Sequence, residues 1–156
     1  MKLKVFRLRE KAKLPVRAHS TDAGMDLFYC PLKGEPNPFN DHNISFGPGH
    51  GGLVPTGLKI GVPAGYMLEI KNKSGIALKQ RLVVGACVID SGYDGEIFVN
   101  LNNIGSTVRE IIPGQKIAQA VLIPIKTCGI EEIEVDKVYG AATARGEGGF
   151  GSTGDF

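Results

Sequence analysis

The sequence predicts an all-β domain, a sandwich or barrel, on three observations. Its apolar runs are short and bounded by Gly, Pro, Asn or Asp, the punctuation of strands joined by turns. The 156 residues include 22 Gly and 9 Pro with no collagen-like period, so turns are frequent. One segment invites a helix, Ser74-Gly-Ile-Ala-Leu-Lys-Gln-Arg81, with Ser74 placed as N-cap before good helix formers. A hydrophobic share of 42% against 22% charged excludes a disordered chain, and the length suits one domain with a real core.

In chain order, strands are expected near 2–8, 25–30, 53–60, 66–71, 82–89, 95–102, 108–112 and 117–125, with a weaker one near 131–135. The first is basic: residues 1–17 hold seven Lys/Arg against Glu10. Leu3, Val5, Phe6 and Leu8 are interleaved with those charges, which favours a strand with a solvated face over a phosphate-binding arm. Gly34–Gly52, with Pro36, Pro38, Pro48 and two His, reads as one long polar loop. His19, His42 and His50 are read as loop or surface residues, and Glu131, Glu132, Glu134 and Asp136 as a solvated acidic face.

A net charge of +2 is too small to imply nucleic-acid binding. Cys30, Cys87 and Cys128 form no CxxC pair and no metal-ligand spacing, and an odd count argues against a secreted disulfide scaffold. Residues 1–25 lack the apolar core of a signal peptide, and no apolar run reaches the ~18 residues of a membrane span. The expectation is a reduced protein of the cytoplasm, nucleoplasm or a virus-infected host's cytosol. It is not secreted and has no stable contact with nucleic acid or membrane.

The tail stands apart. Arg145-Gly-Glu-Gly-Gly-Phe-Gly-Ser-Thr-Gly154 carries five glycines, one Arg and one Phe, too little apolar surface to fold alone. Flexible backbone N–H groups can wrap a phosphate, the Arg can neutralise it, and the Phe can stack on a base. The division expected is a β domain over 1–140 and a flexible nucleotide-closing arm over 141–156.

Five segments occur in the order found in the homotrimeric dUTPase family: Ala23-Gly-Met-Asp-Leu27, Lys73-Ser-Gly-Ile-Ala77, Gly85-Ala-Cys-Val-Ile-Asp-Ser-Gly-Tyr-Asp-Gly95, Gly114-Gln-Lys-Ile-Ala-Gln119 and the tail. Pro48-Gly and Leu53-Val-Pro-Thr-Gly-Leu58 also resemble that family's framework. The resemblance covers about residues 20–154. It implies a distorted jelly-roll-like β-barrel that trimerises, with active sites shared between subunits. It also implies hydrolysis of dUTP to dUMP and pyrophosphate, which limits uracil in DNA and supplies dUMP for dTMP synthesis.

Hydrolysis at the α-phosphorus needs three phosphates held still and a carboxylate to orient water. By resemblance that carboxylate is Asp90; as a bare residue it is equally an Asp opening a β-turn, and both roles are compatible. Tyr93 would lie under the deoxyribose and exclude a 2′-hydroxyl. The main chain near Cys87, Val88 and Ile89, with Phe98 across a hairpin, would read uracil and leave no room for a 5-methyl group. Ser74 and Gly75 match a phosphate-binding pair, with Lys73 before them, and Gln119 matches a phosphate-contacting amide. Asp26 matches a carboxylate that orients site groups and water around the metal. Arg145 would close on the γ-phosphate, Phe150 would stack over uracil, and Gly151 belongs to the same lid. The expected cofactor is Mg²⁺ held mainly by triphosphate oxygens and water, which suits a sequence without a clustered carboxylate cage.

Three residues depart from the family pattern. Lys73 and Lys116 stand where Arg is usual, keeping the charge but losing the planar fork. Cys87 replaces a usual Gly; its side chain either narrows the uracil pocket or points away, and a buried inert thiol is expected. Two rival readings follow. A related deaminase of dCTP would carry a Glu where Asn100 stands, and an amide cannot shuttle a proton as a carboxyl does; Glu96 lies four positions earlier. A non-catalytic nucleotide sensor on the same fold is opposed by the presence of Asp90 and the full tail.

Overall fold

In a computed structural model, residues 1–32 and 42–148 are described. The strands are β1 Lys4–Arg7, β2 Met25–Phe28, β3 Ile44–Phe46, β4 Gly51–Pro55, β5 Leu58–Gly61, β6 Tyr66–Lys71, β7 Leu82–Val84, β8 Val88–Ile89, β9 Phe98–Asn103, β10 Arg109–Ile111 and β11 Lys116–Pro124. The helix α1 spans Ser74–Gln80, and a 3₁₀ turn spans Val135–Lys137. The fold is all-β, as expected.

Two sheets place the residues of interest. One has the order β2-β11-β6-β8 and the other β4-β9-β7; β1 pairs β5, and β3 pairs β10. All the pairings are antiparallel. Strand alternation builds the core. In β9, Val99, Leu101 and Asn103 are buried while Phe98, Asn100 and Asn102 are half-buried. Leu27, Leu68, Ile70, Ile117, Ala118 and Ala120 join them in a cluster that excludes water from the spaces between strands.

Several expectations change. The run 53–60 is two strands, because the chain breaks at Thr56–Gly57: Thr56 Oγ1 donates to Ile97 O at 2.7 Å, and Gly57 N donates to Glu96 at 2.7 Å. The run 82–89 also divides, into β7 and β8, which belong to different sheets. The stretch 34–52 is not one loop, since β3 lies within it and β4 begins in it. No strand forms at 131–135; that charged, exposed stretch ends in the 3₁₀ turn. The helix starts at its expected cap, one residue earlier than expected. Lys73 is the N-cap, without a side-chain capping bond, so Ser74 is the first helical residue and its hydroxyl is not spent on capping.

The chain divides into two compact units, Met1–Lys126 and Thr127–Phe156. The division falls before the expected boundary at 140. Within the second unit, Arg145 sits in a local turn: Gly146 N donates to Thr143 O at 3.1 Å, and Arg145 Nε donates to Gly148 O at 2.9 Å. Phe150 and Gly151 lie outside the described residues.

Candidate active site

Asp90 follows β8 and opens a turn in which Tyr93 N donates to Asp90 O at 3.3 Å. Gly92, at the third position, has φ +90°, the left-handed conformation that a type II turn requires there. Ser91 Oγ donates to Val62 O at 3.1 Å and ties the turn to the segment before β6. The Asp90 carboxylate is exposed, and among the described residues no side chain pairs with it. The turn therefore projects a free carboxylate from a fixed backbone.

Tyr93 folds back over the same turn. Its hydroxyl donates to Glu96 O at 3.0 Å. A Cβ on Gly95 would stand 2.2 Å from the Tyr93 hydroxyl oxygen, so this ring position requires glycine. Below it, Arg9 grips the Glu96 carboxylate with both terminal nitrogens, one of them at 2.9 Å, and donates to Cys30 O at 3.2 Å. Hydrogen bonding to Glu96 holds the guanidinium above its ordinary pKa against the opposing effect of burial. Glu96 is thus fully engaged in holding the turn's base, which removes it as a proton shuttle.

The expected hairpin is not a paired one. β8 pairs with β6, and β9 pairs with β4 and β7. The β7–β9 ladder runs from Leu82↔Asn103 to Val84↔Leu101 and ends where Gly85 N donates to Asn100 O at 3.0 Å. Asn100 Oδ1 then accepts from Ala86 N at 3.2 Å. Beyond that clasp, Cys87–Ile89 and Phe98–Val99 are the arms of two different sheets, and their main chains are not spent on each other. Such an opening offers backbone donors and acceptors to a planar ligand. Cys87 is half-buried rather than buried, and its carbonyl accepts from Ile70 N at 2.7 Å. Val88 is exposed; Ile89 and Phe98 are half-buried.

A second cluster occupies one face of the β2-β11-β6-β8 sheet. Asp26 lies opposite Gln119, and Gln119 opposite Lys71, in a row across three strands. The Asp26 side chain is 6% exposed. Its backbone is fixed to Val16 through Asp26 N to Val16 O at 2.7 Å. Lys73 Nζ donates to Asp26 Oδ1 at 2.7 Å, and Lys116 Nζ stands 2.7 Å from Oδ2 as an ion pair without good hydrogen-bond direction. Burial pushes the Asp26 carboxyl up, but the two ammoniums outweigh it and hold it below the ordinary carboxylate value. Gln119 Nε2 donates to Asn72 O at 2.8 Å, and Asn72 Oδ1 accepts from Val84 N at 2.6 Å. Exposed Ser74 and Gly75 begin α1 just beyond Lys73, with open space at Gly75.

These residues form two groups at opposite ends of β6. The register Leu68↔Ile89 and Glu69↔Val88 carries Asp90 toward Met67, whereas Lys73 lies beyond Lys71. Six residues separate those positions, on the order of 20 Å at a strand's rise. The structure brings Asp26, Lys73 and Gln119 together and sets Asp90 and Tyr93 apart from them, with the Cys87–Ile89 arm running along β6 between the two groups. Lys116, Asn72 and the Arg9–Glu96 pair are components that the sequence did not assign to the site. Lys116 was visible only as a departure from a pattern, and no local signal joins Arg9 to Glu96, 87 residues away.

The histidines lie outside both groups: His19 pairs with Asp22, His42 O accepts from the Tyr29 hydroxyl, and His50 Nδ1 is 3.0 Å from Pro48 O. Among the described residues no cluster of three His, Cys, Asp or Glu could hold a metal.

The dUTPase family profile matches residues 10–154. The chain is 41% identical over 156 residues to the deoxyuridine 5′-triphosphate nucleotidohydrolase of Clostridium novyi (strain NT), covering 99% of each. It is similar to the dUTPase of Staphylococcus bacteriophage 80alpha, solved with dUpNHpp, at TM-score 0.83 and 26% identity over 98% of each chain. It also resembles a mutant dUTPase from phage phi11 of S. aureus, whose structure describes the coordination of a structural Mg(II) ion. That likeness has TM-score 0.75 and 26% identity over 86% of this chain and 97% of that one. With the all-β fold, the five ordered segments and a full-length relative at this identity, the chain belongs to the dUTPase family.

Proposed function

We propose that this protein hydrolyses dUTP to dUMP and pyrophosphate, a water oriented by Asp90 attacking the α-phosphorus in line. The observation that carries the reading is the Asp90 turn: a free carboxylate on a fixed backbone, at the point where the chain on either side of the turn parts into two sheets and is not paired with itself. The main chain of Cys87, Val88 and Ile89 and the Phe98 edge read the uracil ring. Tyr93 lies under the deoxyribose, its position set by Gly95 and the bond to Glu96. Ser74, Gly75 and Gln119 donate to phosphate oxygens, and Lys73 supplies positive charge there. Arg145 closes on the γ-phosphate, with Phe150 over the base and Gly151 in the same lid.

Mg²⁺ fits this arrangement as an ion held by triphosphate oxygens and water, because the described residues offer the isolated carboxylate of Asp90 and no cage. When bound it neutralises phosphate charge. Asp26 does not face such an ion with a free oxygen, since each of its oxygens has a lysine at 2.7 Å. Its part is to hold those lysines.

The working unit is a homotrimer with shared sites. One triphosphate has to reach both the Asp90 turn and the Lys73–Ser74 end, and its α- and γ-phosphorus atoms are far closer together than those two ends of β6. A neighbouring copy supplies the missing half. Exposed Leu53, Val88, Ile104 and Val108 support packing between copies. Three free cysteines are in keeping with a reducing, cytoplasmic setting.

The test is Mg²⁺-dependent pyrophosphate release from dUTP, dTTP, dCTP and UTP in parallel, with ammonia assayed for dCTP. Release from dUTP alone is expected. Ammonia from dCTP, or equal release from UTP, would overturn the assignment.

A further inference from the structure

We infer that Lys116 is a positioning residue for phosphate binding: acting through Asp26, it fixes the direction in which Lys73 presents its ammonium. This rests on the proposed function and adds to it a residue outside the expected contacts.

The inference starts from a defect in a strand ladder. β11 pairs β2 with Gln119↔Asp26 and Ala118↔Leu27, but the next partner of Phe28 is Lys116 rather than Ile117. That shift is a bulge with one extra residue in β11, a device that re-aims side chains. Without it, alternation would turn Lys116 to the side of Ala118, into the core. With it, Ile117 and Ala118 are both buried, and Lys116 shares the face of Phe28 and Asp26. Two lysines thereby converge on one buried carboxylate, each on its own oxygen.

The consequence is electrostatic. A carboxylate facing Lys73 alone could accept its ammonium on either oxygen. Lys116 occupies Oδ2 and leaves Oδ1 to Lys73. Lys73 then has two further N–H donors and a partly exposed side chain beside Ser74. The cluster carries one net positive charge, suited to an anionic phosphate, and its direction depends on both partners of Asp26. Both lysines lower the Asp26 carboxyl, so each holds the charge against which the other is placed.

A double-mutant cycle tests this, using the full-length protein, KM for dUTP and inhibition by inorganic pyrophosphate. Lys116→Met is expected to weaken pyrophosphate inhibition and raise KM on the order of tenfold, with kcat little changed, and Lys116→Arg to restore both. In an Asp26→Asn background, Lys116→Met should change neither by more than about twofold. Equal losses in both backgrounds would overturn the inference, because Lys116 would then act without Asp26. No loss in either would also overturn it while leaving dUTP hydrolysis intact. A wild-type protein that neither turns over dUTP nor binds pyrophosphate would bring down the proposed function and this inference with it. Lys116→Gln serves as a second variant should the Met variant melt early.

Discussion

Two aspartates in this chain are treated in opposite ways. Asp26 is buried on a sheet face with an ammonium at each oxygen, and its charge is held firmly in place. Asp90 is exposed on a turn whose backbone is fixed from several sides, and no described side chain touches its carboxylate. A carboxylate buried between two cations can organise charge but is shut away from the water whose proton it would take. A free, exposed one on a rigid turn can meet that water. On the proposed function, this difference fits chemistry at Asp90 and architecture at Asp26, although both lie in segments shared with the family.

The sharpest way to break that contrast is to neutralise each in turn. Asp90→Asn is expected to lower kcat for dUTP by about 10²–10⁴ while leaving dUTP affinity near wild type. Asp26→Asn should act chiefly on KM, through misplaced lysines. Steady-state kinetics on both variants decides the point, and a larger kcat loss from Asp26→Asn would reverse the assignment.

The separation of the two groups along β6 allows a second test. Subunits carrying Asp90→Asn and subunits carrying Lys73→Met should each be nearly inactive alone. If a site takes its turn from one copy and its lysine from another, co-refolded mixtures recover about a quarter of wild-type activity, the share of sites that random assortment leaves intact. No recovery from a demonstrably mixed assembly would place both groups in one subunit's site.

A smaller effect probes the turn itself. In Gly95→Ala the new methyl would meet the Tyr93 ring, 2.4 Å from Cζ, and displace it from its bond to Glu96. The preference for dUTP over UTP, read as a ratio of kcat/KM values, should fall on the order of tenfold. An unchanged ratio would remove Tyr93 from sugar discrimination.

The sequence made the strands legible where apolar residues alternate between Gly and Pro boundaries, as in β6, β9 and β11. It did not show that 82–89 divides between two sheets, because β7 and β8 are each too short to announce their partners. Nor did it show the bulge at Ile117, which depends on pairing with a strand some 90 residues earlier in the chain. The turn at Asp90 was readable because Asp-Ser-Gly encodes it locally, whereas the role expected of Asp90 rested on the family resemblance. The Lys73–Asp26–Lys116 cluster was not, since three separate segments meet there and only the two unusual lysines hinted at it. The resemblance supplied separate roles for the two carboxylates, whereas the lysine partners of Asp26 emerged only from tertiary contacts.

The smallest predicted effect concerns pH and isolates the charge on Asp26. Burial disfavours its ionised form, but Lys116 and Lys73 bring its folded pKa below the ordinary carboxylate value. A depressed folded pKa means that the unfolded chain binds the proton more readily. The stabilisation is then fully present above the unfolded pKa of about 4 and is lost as pH falls through the folded value. The melting temperature of the wild type should exceed that of Asp26→Asn by a constant few degrees between about pH 5 and 7, and the gap should close as pH falls below about 4. If the Asp26→Asn gap instead stayed constant into strong acid, the aspartate would be stabilising through shape and hydrogen bonding, and the charge-based contrast between the two carboxylates would fail.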